Sequence, residues 1–157
     1  MKRIFSLAPH GIAIFAALIF LDSLRYKFTD APETQEIFGR LDGWAGTLGL
    51  AGLFSHTGLF SQYVIGTAEL FASAFLLIGI IPAFRRFQAL GALIALAVMS
   101  GAVSFHLFTP LGIDPNNDGG GLFMAAVVIW FTSIAMLIIR RNELGALLNG
   151  LRKALFG

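Results

Sequence analysis

The chain has no cysteine, which excludes disulfides, thiol catalysis and cysteine-held zinc or iron–sulfur centres. Charge is scarce as well: 13% of residues are Asp, Glu, Lys or Arg, against about 25% in an ordinary soluble domain. Histidine is limited to positions 10, 56 and 106, which lie in different regions without metal-ligand spacing, so no metal site is expected. Neither a haem-type ligand pair nor a glycine-rich dinucleotide fingerprint is present, so electron transfer by this chain alone is not expected. What fills the sequence instead is hydrocarbon. Apolar residues make up 57% of 157 positions, with sixteen Phe and eighteen Gly, and the mean hydropathy is +0.80. This composition reads as one integral membrane domain. The net charge of +2 and pI of 9.4 do not point to nucleic acid, because Lys and Arg sit in short clusters at the ends of apolar runs.

A crossing helix needs about 20 mostly apolar residues, and four segments qualify, near 4–24, 62–82, 88–109 and 121–139. The expected fold is an all-α, membrane-embedded four-helix bundle with an extra interfacial helical segment, 31–60, between the first two spans. The first span follows Met1-Lys2-Arg3 and so mimics a signal peptide, but Asp22-Ser23-Leu24-Arg25 follows it without a small-x-small cleavage site, which reads as an uncleaved anchor. Lys2, Arg3, Arg85, Arg86, Arg140, Arg141, Arg152 and Lys153 then fall on one side and Arg25, Lys27 and Arg40 on the other. The positive-inside rule puts both termini in the cytoplasm.

A five-span arrangement that also threads 43–60 through the bilayer leaves only Lys2 and Arg3 outside, and by charge alone scores slightly better. Against it stand the glycines of that stretch, each costing about 1 kcal/mol in a helix relative to alanine, and the mere Ser61-Gln62 link to the next span. The segment is therefore read as interfacial. Its start carries helix signals: Asp30 or Thr29 as cap, Pro32 in the first turn, and Glu33 and Glu36 at the positive end of the dipole. Ile37, Phe38, Leu41 and Trp44 supply an apolar face for the bundle or the headgroup layer.

Glu69 is the sole formal charge in the run 63–81, and a carboxylate in hydrocarbon is costly enough that such residues face a bundle interior. At 1.5 Å per residue it lies about 9 Å below Tyr63, and His106 about 6 Å below Pro110. Asp22, Arg25 and Tyr26 end the first span at the same level, so these five side chains are expected to converge on an outer polar cleft. Gln62, Gly66 and Ser73 share the Glu69 face at helical spacing. Such a cluster suits a small polar-headed ligand or proton exchange. The competing reading is a clasp in which Glu69 accepts from His106, Arg25 or Tyr26 and holds helices in register, worth about 1 kcal/mol.

The other features have blander readings. His10 is expected to be packed or interfacial, and His56 solvated. Asp114-Pro115-Asn116-Asn117-Asp118-Gly119 matches the start of a calcium loop, but Ala125 stands where the bidentate glutamate belongs, so a turn is the better account. Trp130 and Phe131 read as lipid or packing contacts, and Arg140 and Arg141 as ending the last span at the headgroups. Residues 142–157 read as a surface amphipathic helix. Ala13/Ala17 and Ala92/Ala95 offer close-packing faces for internal contacts or a homo-oligomer.

The run Leu24-Arg25-Tyr26-Lys27-Phe28-Thr29-Asp30-Ala31-Pro32-Glu33-Thr34 resembles the segment after the first helix of DoxX-like membrane proteins. Gly66 and Glu69 in the second span, and Gly101-Ala102 with His106-Leu107-Phe108 at the end of the third, are similar to that family as well. The resemblance implies a compact four-helix protein of the bacterial inner membrane. Some members associate with quinol oxidase or thiosulfate:quinone oxidoreductase complexes, and others with redox stress. It also implies an accessory subunit with a quinone as ligand rather than an enzyme on its own, with no intrinsic cofactor, and with the bilayer and other subunits as partners. A thiol mechanism does not carry over to a chain without cysteine. A proton-coupled carrier and a purely structural subunit are the alternatives; four spans without inverted repeats argue against a monomeric carrier.

Overall fold

The computed structural model describes residues 2–157, with side-chain surroundings from Leu7 onward; those of Lys2 and Arg3, used above for orientation, lie outside the described residues. The described residues form six helices and a 3-10 turn, with no strand: α1 (Lys2–Lys27), α2 (Pro32–Thr47), α3 (Gln62–Ile78), the turn Pro82–Phe84, α4 (Arg85–Phe108), α5 (Gly121–Ile139) and α6 (Arg141–Phe156). Three stretches are long and apolar enough to cross a membrane: Leu7–Lys27, Pro82–Phe108 and Gly121–Ile139. α1 and α4 each pack against both α3 and α5. One end of this arrangement holds the C-terminus of α1, the start of α3 and the α4–α5 connection, with α2 laid over it. The opposite end carries His10, Gln88, Arg140 and α6.

The second expected span is shorter than anticipated. α3 has 17 residues, about 26 Å at 1.5 Å per residue, and stops at Ile78 rather than Pro82. Close packing of the turn against α4 accounts for this. A Cβ on Gly79 would stand 2.4 Å from the backbone nitrogen of Gln88, so the chain bends there, through Ile80 and Ile81, into the Pro82 turn. Gly91 allows a second intimate approach, with a Cβ there falling 2.8 Å from the Leu76 nitrogen and 2.9 Å from the Ala72 carbonyl. Gly91→Ala is accordingly expected to force α3 and α4 apart and lower stability by about 1–3 kcal/mol, seen as an earlier melting transition in detergent with helical content retained.

Small residues make the interior. Ala13, Ala16, Ala72, Ala92 and Ala95 are buried around Phe20, Leu76, Met99, Ile129 and Met136. Ala17 is buried too, so both alanine pairs serve packing within the chain. Large side chains point outward instead, with Leu18 63%, Phe131 61% and Ile138 63% exposed. Without an aqueous driving force between helices, small residues at contacts and apolar ones outside are what lipid solvation favours. Trp130 combines packing with a polar tether, its indole N–H donating to Ser100 at 2.9 Å.

The segment over the cap end is only partly helical. α2 stops at Thr47 and turns carry the chain to Ser61, so residues 43–60 form no continuous crossing helix. The apolar face of α2 lies on the protein: Leu41 and Ala45 are buried with Phe54 and Leu111, and Ile37, Phe38, Trp44 and Phe105 close around them. Phe105 of α4 sits edge-on to Trp44 and Phe54 at 6.4 and 5.2 Å. Pro32 does occupy the first turn, but the expected side-chain cap is missing. Asp30 is held in a left-handed turn (φ 54°), and the Thr29 hydroxyl donates back to the Arg25 carbonyl.

Candidate functional site

The five residues expected to converge do not. Asp22 and Arg25 form an exposed ion pair at 3.1 Å, with side chains 62% and 67% accessible. Arg25 also donates to the Tyr26 hydroxyl at 3.0 Å and lies over its ring. All three stand on the outer face of α1. His106 is buried but turned toward the α4–α5 connection, with Nδ1 2.6 Å from the Gly112 carbonyl and its ring 5.5 Å from Phe123. A carbonyl only accepts, so Nδ1 carries the proton. His106 therefore fastens a loop. It makes no hydrogen bond to Glu69.

The partner of Glu69 is Lys27. Its ammonium lies 3.0 Å from Oε2 and donates to Oε1 at 3.1 Å. The two side chains retain only 14% and 4% exposure. Lys27 also donates to the Ser23 hydroxyl. Oε2 sits near the charge but receives no well-directed hydrogen bond. Helical phase explains the choice of cation: Lys27, Ser23, Phe20, Ala16 and Ala13 recur at steps of four and three and share the inward face, whereas Arg25 and Tyr26 fall off it. The lysine stem crosses α3 at Gly66, where a Cβ would already touch Lys27 Cδ at 3.4 Å. Behind the pair, the Ser73 hydroxyl donates to the Glu69 carbonyl.

Two turns nearer the cap end, Gln62 is the hub of a second network. Its carboxamide N–H groups donate to the Lys27 carbonyl at 2.7 Å and to Asp30 at 2.5 Å. Its oxygen accepts from Gln35 of α2 at 2.8 Å. Tyr63 donates to the same Asp30 oxygen at 2.7 Å, and His56 Nδ1 stands 4.0 Å from it. Gln62 is 2% exposed, so three separate chain segments are tied to one buried side chain. Above it opens a cleft of about 120 Å³ lined by Gln35, Asp42, Ser55, His56 and Gln62 among others. Asp42 supports the cleft wall by accepting from the Phe54 N–H at 3.0 Å. The cleft mixes these polar groups with Phe38 and Phe54, and none of Glu69, His106, Arg25, Tyr26 and Asp22 lines it. Gln62 was visible as part of the Glu69 stripe; Gln35 and Asp42 offered no signal, since contacts across a turn-rich segment leave no periodicity.

The opposite end carries a third polar node. Gln88 is fully buried and its oxygen accepts two bonds from Arg140, from Nε at 2.9 Å and Nη2 at 2.7 Å. Its N–H faces His10 Nδ1 at 3.3 Å. Arg140 is 7% exposed, so it reaches into the protein rather than out to the headgroups as expected. Glu143 is its nearest carboxylate, at 3.5 Å.

The Asp114–Gly119 segment is a capping turn. Asp114 accepts from the Asp118 N–H at 2.7 Å, and Asp118 accepts from Gly120 and Leu122 at 2.9 Å each. The Leu122 N–H, ahead of the other donors, holds the Asp118 carboxyl below its ordinary range. Its stabilising effect is therefore full above about pH 4 and lost as pH falls through the lower folded value. Asp118→Ala is expected to cost about 1 kcal/mol at neutral pH and to remove that part of the acid sensitivity in a pH series of melts.

The chain matches no protein-family model, no characterised protein and no solved structure.

Proposed function

We propose that the chain is a DoxX-like bacterial inner-membrane protein in which α1, α3, α4 and α5 act as a spanning four-helix bundle. In this reading it serves as an accessory subunit of a quinone-linked redox complex and holds a small polar-headed ligand at its cap end. The observation carrying the ligand site is the buried Gln62 hub beneath a cleft lined by polar groups together with Phe38 and Phe54. A cleft of about 120 Å³ is well below the several hundred Å³ that enclose a drug-sized molecule, so it suits a single small ring or headgroup with any apolar tail left in lipid. Asp42, Ser55 and His56 in its lining offer both donors and acceptors to that head. The argument for quinone rests on the family resemblance. The argument for both termini being cytoplasmic rests on the clustering of Arg85, Arg86, Arg140, Arg141, Arg152 and Lys153 at one end.

The buried Glu69–Lys27 pair favours a second reading, a structural membrane subunit, because each charge already has its partner within the chain. Native mass spectrometry of protein extracted gently from its own membrane separates the two. A co-purifying quinone-sized mass, lost in His56→Ala and Ser55→Ala while the fold is kept, is the expected result. Partner subunits without any small molecule would remove the ligand site and leave the accessory role. A bare chain with neither would overturn both parts of the proposal.

A further inference from the structure

α6 carries an apolar stripe whose second half is left uncovered among the described residues. Leu144, Leu147, Leu148, Leu151 and Leu155 recur at steps of three and four and so lie along one side of the helix. α6 touches α4 and α5. Its half-buried residues are confined to its first half, Leu144 and Leu147 among them. Leu148, Leu151 and Leu155 are 55%, 59% and 72% exposed. One continuous stripe thus begins against the membrane-spanning helices and runs on past them at the same face. Only Arg140 separates α6 from α5, whose apolar run stops at Ile139, so the stripe starts where the hydrocarbon ends.

The charges are placed to match. Arg141 and Arg152 are eleven positions apart, which returns almost to the same direction around a helix, at roughly 16 Å separation along the axis. Both flank the same edge of the leucine stripe, and both are exposed. Glu143 lies on the other edge and is engaged by Arg140. A helix with leucines on one side and arginines at its border has the pattern of an interfacial helix whose cations meet phosphate.

We propose that α6 is an anionic-lipid anchor: its leucine stripe beds into the leaflet at the Arg140 end, and Arg141 and Arg152 bind the phosphates of acidic phospholipids. The Arg140–Gln88 contact fixes the point at which the helix leaves the bundle, so that the stripe meets the membrane rather than swinging free. This does not depend on the ligand site at the cap end.

The test is hydrogen exchange of residues 144–156 in the full chain, held in nanodiscs of phosphatidylcholine alone or of an equimolar mixture with phosphatidylglycerol. Exchange is expected to slow in the acidic discs by about five-fold for each arginine engaged, to speed up again at high salt, and to lose its lipid dependence in Arg141→Gln/Arg152→Gln. These two side chains are exposed, so the double variant keeps the rest of the fold. Equal protection in both discs overturns the proposal. Protection that follows the number of chains per disc regardless of lipid charge also overturns it, because a second copy would then be covering the stripe. Leu151→Asp supplies an independent check: protection that survives it in acidic discs would show that the stripe is not bedded in lipid.

Discussion

Lys27→Met is expected to be the most damaging single substitution among the packed helices. The long apolar stem is kept, so packing over Gly66 changes little. What disappears is the cation that, among the described residues, pairs with the buried Glu69 carboxylate. Breaking a buried ion pair from one side costs about 3–5 kcal/mol, because the remaining charge is left uncompensated. The surroundings offer little relief, since Ser23 supplies only a hydroxyl and Oε2 already lacks a well-directed donor. Removing both partners is a different matter. Lys27→Met/Glu69→Leu is expected to recover most of the loss, because a buried pair replaced by apolar groups of similar size is close to neutral. Thermal unfolding in detergent, followed by helical circular dichroism, reads all three proteins. A Lys27→Met protein as stable as the parent would show that the pair does not hold α1 to α3. The double variant has a further use. If it folds and still carries the small mass sought by native spectrometry, the cleft works independently of the ion pair below it; if the mass is lost, the two networks joined through the Lys27 carbonyl and Gln62 act as one.

The helices themselves were legible from apolar runs, and the turn at 114–119 from its Asp, Pro, Asn and Gly residues. Glu69 stood out for a sound reason: a lone carboxylate in an apolar run has to be accommodated. Its partner is harder to read, because depth along the span does not fix the direction a side chain takes around it. Asp22, Arg25 and Tyr26 are at the right depth, but α1 presents Lys27 inward. Stepping back from Lys27 through Ser23, Phe20, Ala16 and Ala13 would have exposed that face, since every step lands on a small or apolar residue suited to burial. His106 shows the same limit in another form, as its partner is a backbone carbonyl in a loop whose path no side-chain pattern encodes. The end of α3 is not legible in the sequence, because Ile80 and Ile81 continue the apolar run, while the reason for stopping, contact between Gly79 and Gln88, exists only once α4 is in place.

Gln88→Leu is the second change with a large expected effect, and it bears on how an arginine behaves at the end of a long apolar helix. Arg140 follows the last apolar residue of α5 and has the length to snorkel toward water. It does not, because the Gln88 oxygen accepts from two of its nitrogens inside the protein. Leucine at position 88 fills similar space, removes that acceptor and leaves the guanidinium with Glu143 at 3.5 Å. Staying buried would then cost about 3–5 kcal/mol, so the arginine is expected to swing outward and vacate its place among α1, α4 and α5. The net loss should be about 2–3 kcal/mol, between a neutral unsatisfied group and a trapped charge. His10 loses its partner in the same step, loosening the contact between α1 and α4. Arg140→Leu on the parent background leaves a neutral carboxamide unsatisfied and should cost less, about 1–3 kcal/mol. Adding it to Gln88→Leu should restore stability toward the parent, apart from the lost His10 contact, because neither the guanidinium nor the carboxamide then remains buried without a partner. Melting curves of the two single variants and the double variant give the coupling directly. Strictly additive losses would mean that Arg140 and Gln88 are neighbours without being partners. A strong coupling, with faster hydrogen exchange in α6 of the Gln88→Leu protein, would show that one buried carboxamide sets both the closure of the helices and the direction in which α6 leaves them.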